Sequence, residues 1–183
     1  MQDISLHILD IAENSISADA TLITISISED TAKDLFSVEI EDNGRGIPED
    51  MRSKVLDPFC TTRTTRKVGL GLPLLAQAAR ETGGDISVRP GDTSGTIVTA
   101  CFKKSHIDMK PLGNIAETIV VLIAGNPQVD FLFTYTKNSN AFSLDTRRIK
   151  EELDGVSINS SPVLSFLRDY LGTSLRDINN QVV

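Results

Sequence analysis

Two neighbouring segments, residues 22–28 and 35–42, alternate between apolar and polar side chains, and this alternation constrains the fold more than any other feature. Because residues i and i+2 of a β-strand lie on the same face, each segment is predicted to be a half-buried strand. The apolar residues that define the two buried faces are Ile23, Ile25 and Ile27 in the first segment and Phe36, Val38 and Ile40 in the second.

Residues 3–17, which precede these strands, have the periodicity of an amphipathic helix. Its apolar side chains form one arc around the helix axis, at Ile4, Ile8, Leu9, Ile11, Ala12 and Ile16. Residues 57–69 are predicted to form a polar loop. The remaining patterns predict helices over residues 48–56, 70–82, 114–124, 146–154 and 162–178, and strands over residues 85–89, 96–103, 129–136 and 140–145.

The composition indicates a soluble globular protein. A chain of 183 residues suits one domain with a small annex and can bury a sizeable core without disulfides or metals. Its formal charge of −7 argues against general binding of nucleic acid or anionic membranes, which requires a basic surface. Cys60 and Cys101 lack metal-ligand spacing and fit a reducing compartment. Because the start of the chain lacks the basic segment of a signal peptide and the apolar run 119–125 is too short to span a membrane, we expect a cytoplasmic location.

A domain boundary is predicted within residues 105–113, a polar stretch that follows a strand and precedes the helix-capping pattern Asn114-x-x-Glu117. Residues 1–103 hold 10 Lys+Arg and 16 Asp+Glu, whereas residues 104–183 hold 8 and 9, so most of the acidity lies before the boundary. The predicted units are a domain over residues 1–104 and an α/β extension of unknown role over residues 105–183.

Asp10 and Asn14 are four residues apart on the first helix and therefore share a face, opposite the apolar arc. A carboxylate beside a carboxamide could polarise a water molecule and hold a hydrated Mg²⁺, which prefers oxygen ligands. An ordinary solvated polar face would look the same in the sequence.

The stretch from Glu41 to Ile47 reads Glu-Asp-Asn-Gly-Arg-Gly-Ile. Period two places Asp42 on the buried face of the preceding strand, where a carboxylate is costly unless it accepts hydrogen bonds. The exocyclic amine of a purine would be one suitable donor. The alternative is a strand that ends one residue earlier, followed by a simple Asp-Asn-Gly turn.

Residues 57–69 form a local positive region, because no acidic residue occurs between Asp57 and Glu81 whereas Arg63, Arg66 and Lys67 do. Long polar loops of this kind are usually lids or binding loops, and this one should attract phosphate. The alternative is a solvated loop with chance clustering of charge. Gly69-x-Gly71 then opens a helix, whose free backbone N–H groups and positive dipole end would suit an anion, although a plain helix start is the simpler interpretation.

Taken in order, these motifs resemble the nucleotide-binding boxes of the superfamily that contains gyrase, heat-shock chaperone, histidine-kinase and mismatch-repair ATPases (the GHKL or Bergerat fold). The resemblance covers about residues 1–103, and the wording Asp-Pro-Phe-x-Thr-Thr-Arg is most similar to a histidine-kinase catalytic domain. The family fold is a two-layer α/β sandwich, which agrees with the predicted elements. The matching motifs are Asn14, Asp42-x-Gly44-x-Gly46, Phe59 with the Thr/Arg loop, Gly69-x-Gly71 and Gly95-Thr96.

The resemblance implies a site for ATP and Mg²⁺. Asn14 would ligate Mg²⁺, Asp42 would accept the adenine amine, and Thr96 would complete the adenine pocket. A lid from Phe59 to Val68 would close over the phosphates. The implied nucleotide-binding residues are Asn14, Asp42, Gly44, Gly46, Ile47, Phe59, Thr61, Thr62, Arg63, Gly69, Leu70, Gly71 and Thr96.

Two departures from the family pattern leave the activity open. Asp10 stands where many ATPase members carry the glutamate that activates water, and its side chain is one methylene shorter. Neither His7 nor His106 begins the pattern of a phosphoacceptor helix, and His7 is expected to be structural or solvated. Three functions therefore remain: a kinase acting on a partner protein in trans, a slow ATPase that switches a partner interface with Asp10 orienting water, and an ATP sensor without chemistry.

Overall fold

The computed structural model describes residues 3–52, 55–56 and 71–180. These residues form six helices and a single six-stranded sheet with the strand order β3-β4-β2-β1-β5-β6. The strands are β1 (Leu22–Asp30), β2 (Leu35–Asp42), β3 (Asp85–Pro90), β4 (Thr96–Lys103), β5 (Asp130–Lys137) and β6 (Asn140–Asp145). The helices are α1 (Ile4–Ser17), α2 (Glu49–Arg52), α3 (Gly71–Glu81), α4 (Ile115–Gly125), α5 (Thr146–Glu152) and α6 (Ser161–Asn180).

The alternation that predicted β1 and β2 is the pattern of burial in the structure. The two strands pair antiparallel with Ile25 opposite Ile40, and their alternate isoleucine, valine and phenylalanine side chains are buried. Helices α1, α3, α4 and α6 contribute to the same hydrophobic core as these faces. The structure thus confirms a mixed α/β fold with helices layered on one sheet.

The strands of the extension continue the sheet of the first unit. β5 pairs parallel with β1, with Phe133 beside Ile25, and β6 adds antiparallel to β5 at the edge. Parallel neighbours require a crossover, and α4 lies in the chain between β4 and β5. The core therefore runs across the predicted boundary near residue 105.

Local signals account for the helix ends. Asp3 caps α1 by accepting a 3.1 Å hydrogen bond from the Leu6 backbone N–H, and Asn114 caps α4 by accepting one from Glu117 N–H at the same distance. Of the helix predicted over residues 48–56, the structure describes Glu49–Arg52 as helical and residues 55–56 as a turn. Within the described residues, no helix combines the length and apolar character needed to cross a bilayer.

Candidate functional site

Asp42, the last residue of β2, is a buried carboxylate with part of its hydrogen-bonding capacity used. Its side chain is 7% exposed, which confirms its predicted place on the buried face. Oδ2 accepts a 2.8 Å hydrogen bond from the Ser15 hydroxyl, and Oδ1 accepts one of 2.9 Å from Gly44 N–H. Because a carboxylate has about four acceptor positions, these two bonds leave capacity for a further donor.

The turn before β4 packs against this end of β2. Thr96 is the register partner of Asp42 and is equally buried. A Cβ on Gly95 would lie 1.8 Å from the Asp42 carbonyl oxygen, and a Cβ on Gly46 would lie 2.9 Å from the Gly95 carbonyl oxygen. Both glycines have positive φ, so only glycine suits these positions. The structure therefore brings Asp42, Gly46 and Thr96 together.

The loop after β2 is also fixed to the end of α1. A Cβ on Gly44 would lie 2.6 Å from the Ala18 carbonyl oxygen. That oxygen accepts a 2.9 Å hydrogen bond from Arg45 N–H, and the Arg45 guanidinium donates to the Ser17 carbonyl at 2.8 Å. Ile47 follows this loop and is half-buried. The loop is thus held between α1 and β4.

Asp10 lies on the face of α1 that contacts α3, and Asn14 lies one turn further along the helix. Both side chains are half-buried, and a Cβ on Gly71, the first residue of α3, would lie 1.7 Å from Asp10 Oδ2. The Asp10 carboxylate therefore packs directly against the start of α3, where the positive end of a helix dipole favours an anion. Among the described residues, no group of three His, Cys, Asp or Glu side chains could hold a metal ion.

His7 is fully buried, so of the two predicted alternatives, structural or solvated, the structure supports the structural one. Neither ring nitrogen has a hydrogen-bond partner within the described part of the chain. Burial lowers its pKa from 6.5 to about 4, with a further lowering by the charges of Lys110 and the N-terminus and an opposing effect of Asp3. The sequence spacing indicated this burial, because His7 lies on the same face of α1 as the core residues Ile4 and Ile11.

Ser15 is the site residue that the sequence analysis missed. Its hydroxyl orients the Asp42 carboxylate from across the fold. The available signal was its position four residues after Ile11, at the edge of the apolar arc of α1. A single serine carries no motif, and only its contact with a residue 27 positions away gives it a role.

The remaining predicted site residues lie in a part of the chain outside the described residues. The lid from Phe59 to Val68 and the first glycine of the Gly-x-Gly motif stay predictions for this reason. These residues are Phe59, Thr61, Thr62, Arg63, Gly69 and Leu70.

Comparison with known proteins gives a consistent result. The family model described as "Histidine kinase-, DNA gyrase B-, and HSP90-like ATPase" matches residues 2–106. The tetrathionate sensor histidine kinase TtrS of Salmonella typhimurium is 38% identical over 93 residues, which cover 49% of this chain and 15% of TtrS. The sensor kinase CckA of Brucella abortus is 33% identical over 84 residues, covering 43% of this chain and 9% of CckA.

Similarity of fold extends beyond the family match. The Aquifex aeolicus MutL ATPase domain, solved in complex with ADP, superposes with a TM-score of 0.54 at 18% sequence identity. The superposition covers 84% of this chain and 70% of that domain, and so includes part of the extension. The curated relatives are much longer than this chain, which spans 18% or less of the length of each relative compared.

Proposed function

The chain belongs to the family of histidine kinase-, DNA gyrase B- and HSP90-like ATPases, and on this premise we propose that it binds Mg·ATP and transfers the γ-phosphoryl group to a partner protein in trans. The kinase assignment is supported by its similarity to sensor kinases such as TtrS and CckA. The observation that carries nucleotide binding is the buried Asp42 carboxylate, oriented by Ser15 and Gly44.

Asp42 has the chemistry to select adenine. A desolvated carboxylate gains most from a donor, and the exocyclic amine of adenine is a donor. Guanine presents a carbonyl oxygen at the equivalent ring position, so it would place two acceptors against each other. We therefore assign Asp42 to the adenine amine, with Thr96 beside it and Gly44, Gly46 and Ile47 forming the wall of the base pocket.

The polar face of α1 has the chemistry to hold the phosphates through a cation. Asn14 offers a carboxamide oxygen that suits Mg²⁺, and the half-buried Asp10 carboxylate lies one turn away against Gly71. When bound, Mg²⁺ would neutralise charge on the phosphates. Thr61, Thr62 and Arg63 would close over them, while Gly69, Leu70 and Gly71 would offer backbone N–H groups.

The acceptor of the phosphoryl group is assigned to another protein. His7 is fully buried and has no place in the reaction, and His106 lies in the segment between β4 and α4. The work of this chain would be positioning and electrostatic stabilisation, as is general for phosphoryl transfer.

The affinity for Mg·ATP tests the adenine contact. In Asp42→Asn, we expect binding to weaken by about 1–3 kcal/mol, which is roughly 5- to 150-fold, because an acceptor for the amine is lost. The preference for ATP over GTP should also narrow, since an asparagine side chain can donate to guanine. Asp177→Asn, an exposed change of the same kind in α6, is the matched control. An unchanged affinity and preference in Asp42→Asn would contradict the assignment.

The position of Asp10 against the start of α3 favours a second candidate, a slow ATPase in which Asp10 orients water. Incubation with γ-labelled ATP, alone and with products of neighbouring genes, separates the candidates. Label on a partner protein supports the kinase, and free phosphate that is lost in Asp10→Asn supports the ATPase. Binding without either product supports an ATP sensor.

A further inference from the structure

The extension carries an apolar groove that the nucleotide site does not use. The groove has a volume of about 480 Å³ and lies between α5 and the first half of α6. Most of its wall is aliphatic or aromatic, and two charged side chains flank it. The lining residues are Arg148, Ile149, Glu152, Leu153, Pro162, Val163 and Phe166.

Large apolar side chains beside the groove are exposed although they are held in place. Phe166 is 64% exposed and Tyr170 is 45% exposed. Their rings stack with centroids 5.8 Å apart, and the ring of Tyr170 also packs edge-to-face with that of Phe142, with centroids 5.5 Å apart. The buried seam of α6 uses other residues, such as Leu167 and Leu171, so the core does not require the exposed pair. An ordered aromatic patch of this kind marks an interaction surface.

The charges at the groove are complementary to the charges of a second copy. Arg148 and Glu152 lie one turn apart on α5, and neither forms an ion pair within the described residues. If two α5 helices packed antiparallel around a twofold axis, Arg148 of each copy would face Glu152 of the other, which gives two equivalent ion pairs. A surface that carries both signs in this order is self-complementary.

The distribution of charge favours contact through the extension. Residues 104–183 hold 8 basic and 9 acidic side chains, whereas residues 1–103 hold 10 and 16. Two copies that meet through the nearly neutral extension keep their acidic halves apart, which limits electrostatic repulsion.

We infer that the α5–α6 groove is the interface of a homodimer, in which Phe166 of each copy enters the groove of the other and Arg148 pairs with Glu152 across the twofold axis. The proposed interface uses no residue that is assigned to the nucleotide site. It gives the extension the role of joining two nucleotide-binding units.

Sedimentation equilibrium of the full chain tests the dimer. We expect a mass twice the 19.9 kDa of one chain at micromolar concentrations, and at least a tenfold weaker association in Phe166→Glu. The control is Ile107→Glu, the same kind of substitution at a side chain that is 94% exposed and far from the groove in sequence, which should leave the dimer intact. A monomeric wild type, or a Phe166→Glu variant that dimerises like the wild type, would overturn the proposal.

A charge-swap experiment locates the twofold axis. In Arg148→Glu, positions 148 and 152 are both acidic, and in Glu152→Arg both are basic. Like charges then face each other across the twofold axis, so each variant alone should dimerise weakly. An equimolar mixture of the two should form a heterodimer, because each acidic position then faces a basic one. If the substitutions weakened association only by disturbing α5 within each copy, mixing the two variants would not restore it. A mixture that associates no better than either variant alone would therefore refute the pairing of Arg148 with Glu152.

Discussion

The Ser15 hydroxyl, on α1, donates a 2.8 Å hydrogen bond to Oδ2 of Asp42, at the end of β2. Both side chains are buried, with 4% and 7% of their surfaces exposed. The bond fixes the carboxylate that we assign to adenine in an orientation set by the packing of α1 on the sheet. The proposed adenine contact therefore depends on the packing of α1 on the sheet.

We expect Ser15→Ala to weaken Mg·ATP binding by about 1 kcal/mol, or roughly fivefold, because the Asp42 carboxylate loses one of the two hydrogen bonds that the described residues donate to it, and with it a fixed orientation. Isothermal titration calorimetry measures this change. Ser17→Ala is the matched control on the same helix, since the Ser17 hydroxyl donates to the Glu13 carbonyl on the exposed side. Equal affinities of the two variants would remove Ser15 from the site.

Gly71→Ala should couple energetically to Asp10. The new Cβ would lie 1.7 Å from Asp10 Oδ2, so the carboxylate must move from the start of α3. We expect this substitution to destabilise the wild type but not the Asp10→Ala background, with a coupling energy of at least about 0.5 kcal/mol in the free energy of unfolding.

Gly172→Ala in α6 is the control for that cycle, because among the described residues no atom outside its chain neighbours and the adjacent helix backbone lies within 4 Å of the added Cβ. It should increase stability by up to about 1 kcal/mol through helix propensity, equally in both backgrounds. Additive effects of Gly71→Ala and Asp10→Ala would show that the two residues are not in contact.

His7 should make the protein less stable as the pH falls. Its pKa is about 4 in the folded protein and 6.5 in the unfolded chain, so the unfolded chain binds the proton first. The free energy of unfolding therefore decreases as the pH falls from 6.5 toward 4, by at most about 3 kcal/mol. In His7→Leu this part of the decrease should disappear, while the contributions of carboxylates remain. Parallel pH profiles from denaturant titrations would contradict the prediction.

Tyr135 should stabilise the junction between β1 and β5 through its hydroxyl, which donates to Glu29. Burial and the neighbouring Glu29 charge raise the pKa of Tyr135 above its usual value of 10, so the hydroxyl remains a donor at neutral pH. We expect Tyr135→Phe to lower the free energy of unfolding by about 1.5–3 kcal/mol, because the acceptor is charged.

The matched control for Tyr135→Phe is Tyr170→Phe, which keeps its ring and has no hydroxyl hydrogen bond within the described residues. Its unfolding free energy should match that of the wild type within about 0.5 kcal/mol. If both variants lost a similar free energy of unfolding, the loss in Tyr135→Phe could not be attributed to the hydrogen bond to Glu29, and the prediction would be wrong.

Much of the secondary structure was predictable because its signals are local. The predicted strands 35–42 and 96–103 have the bounds of β2 and β4, since alternation repeats every two residues along one segment. The predicted strand 22–28 ends two residues early, because Glu29 and Asp30 extend β1 with polar side chains that break the pattern. Period two also placed Asp42 on the buried face.

The sequence by itself determined which segments are helices and strands, which faces are apolar, and the family to which residues 2–106 belong. Only the tertiary structure decided that β5 lies beside β1, that Ser15 holds Asp42, and that His7 is buried. The physical reason is the range of the interactions. Periodicity arises within one segment, whereas these contacts join residues far apart in the chain and exist only once the helices have packed on the sheet.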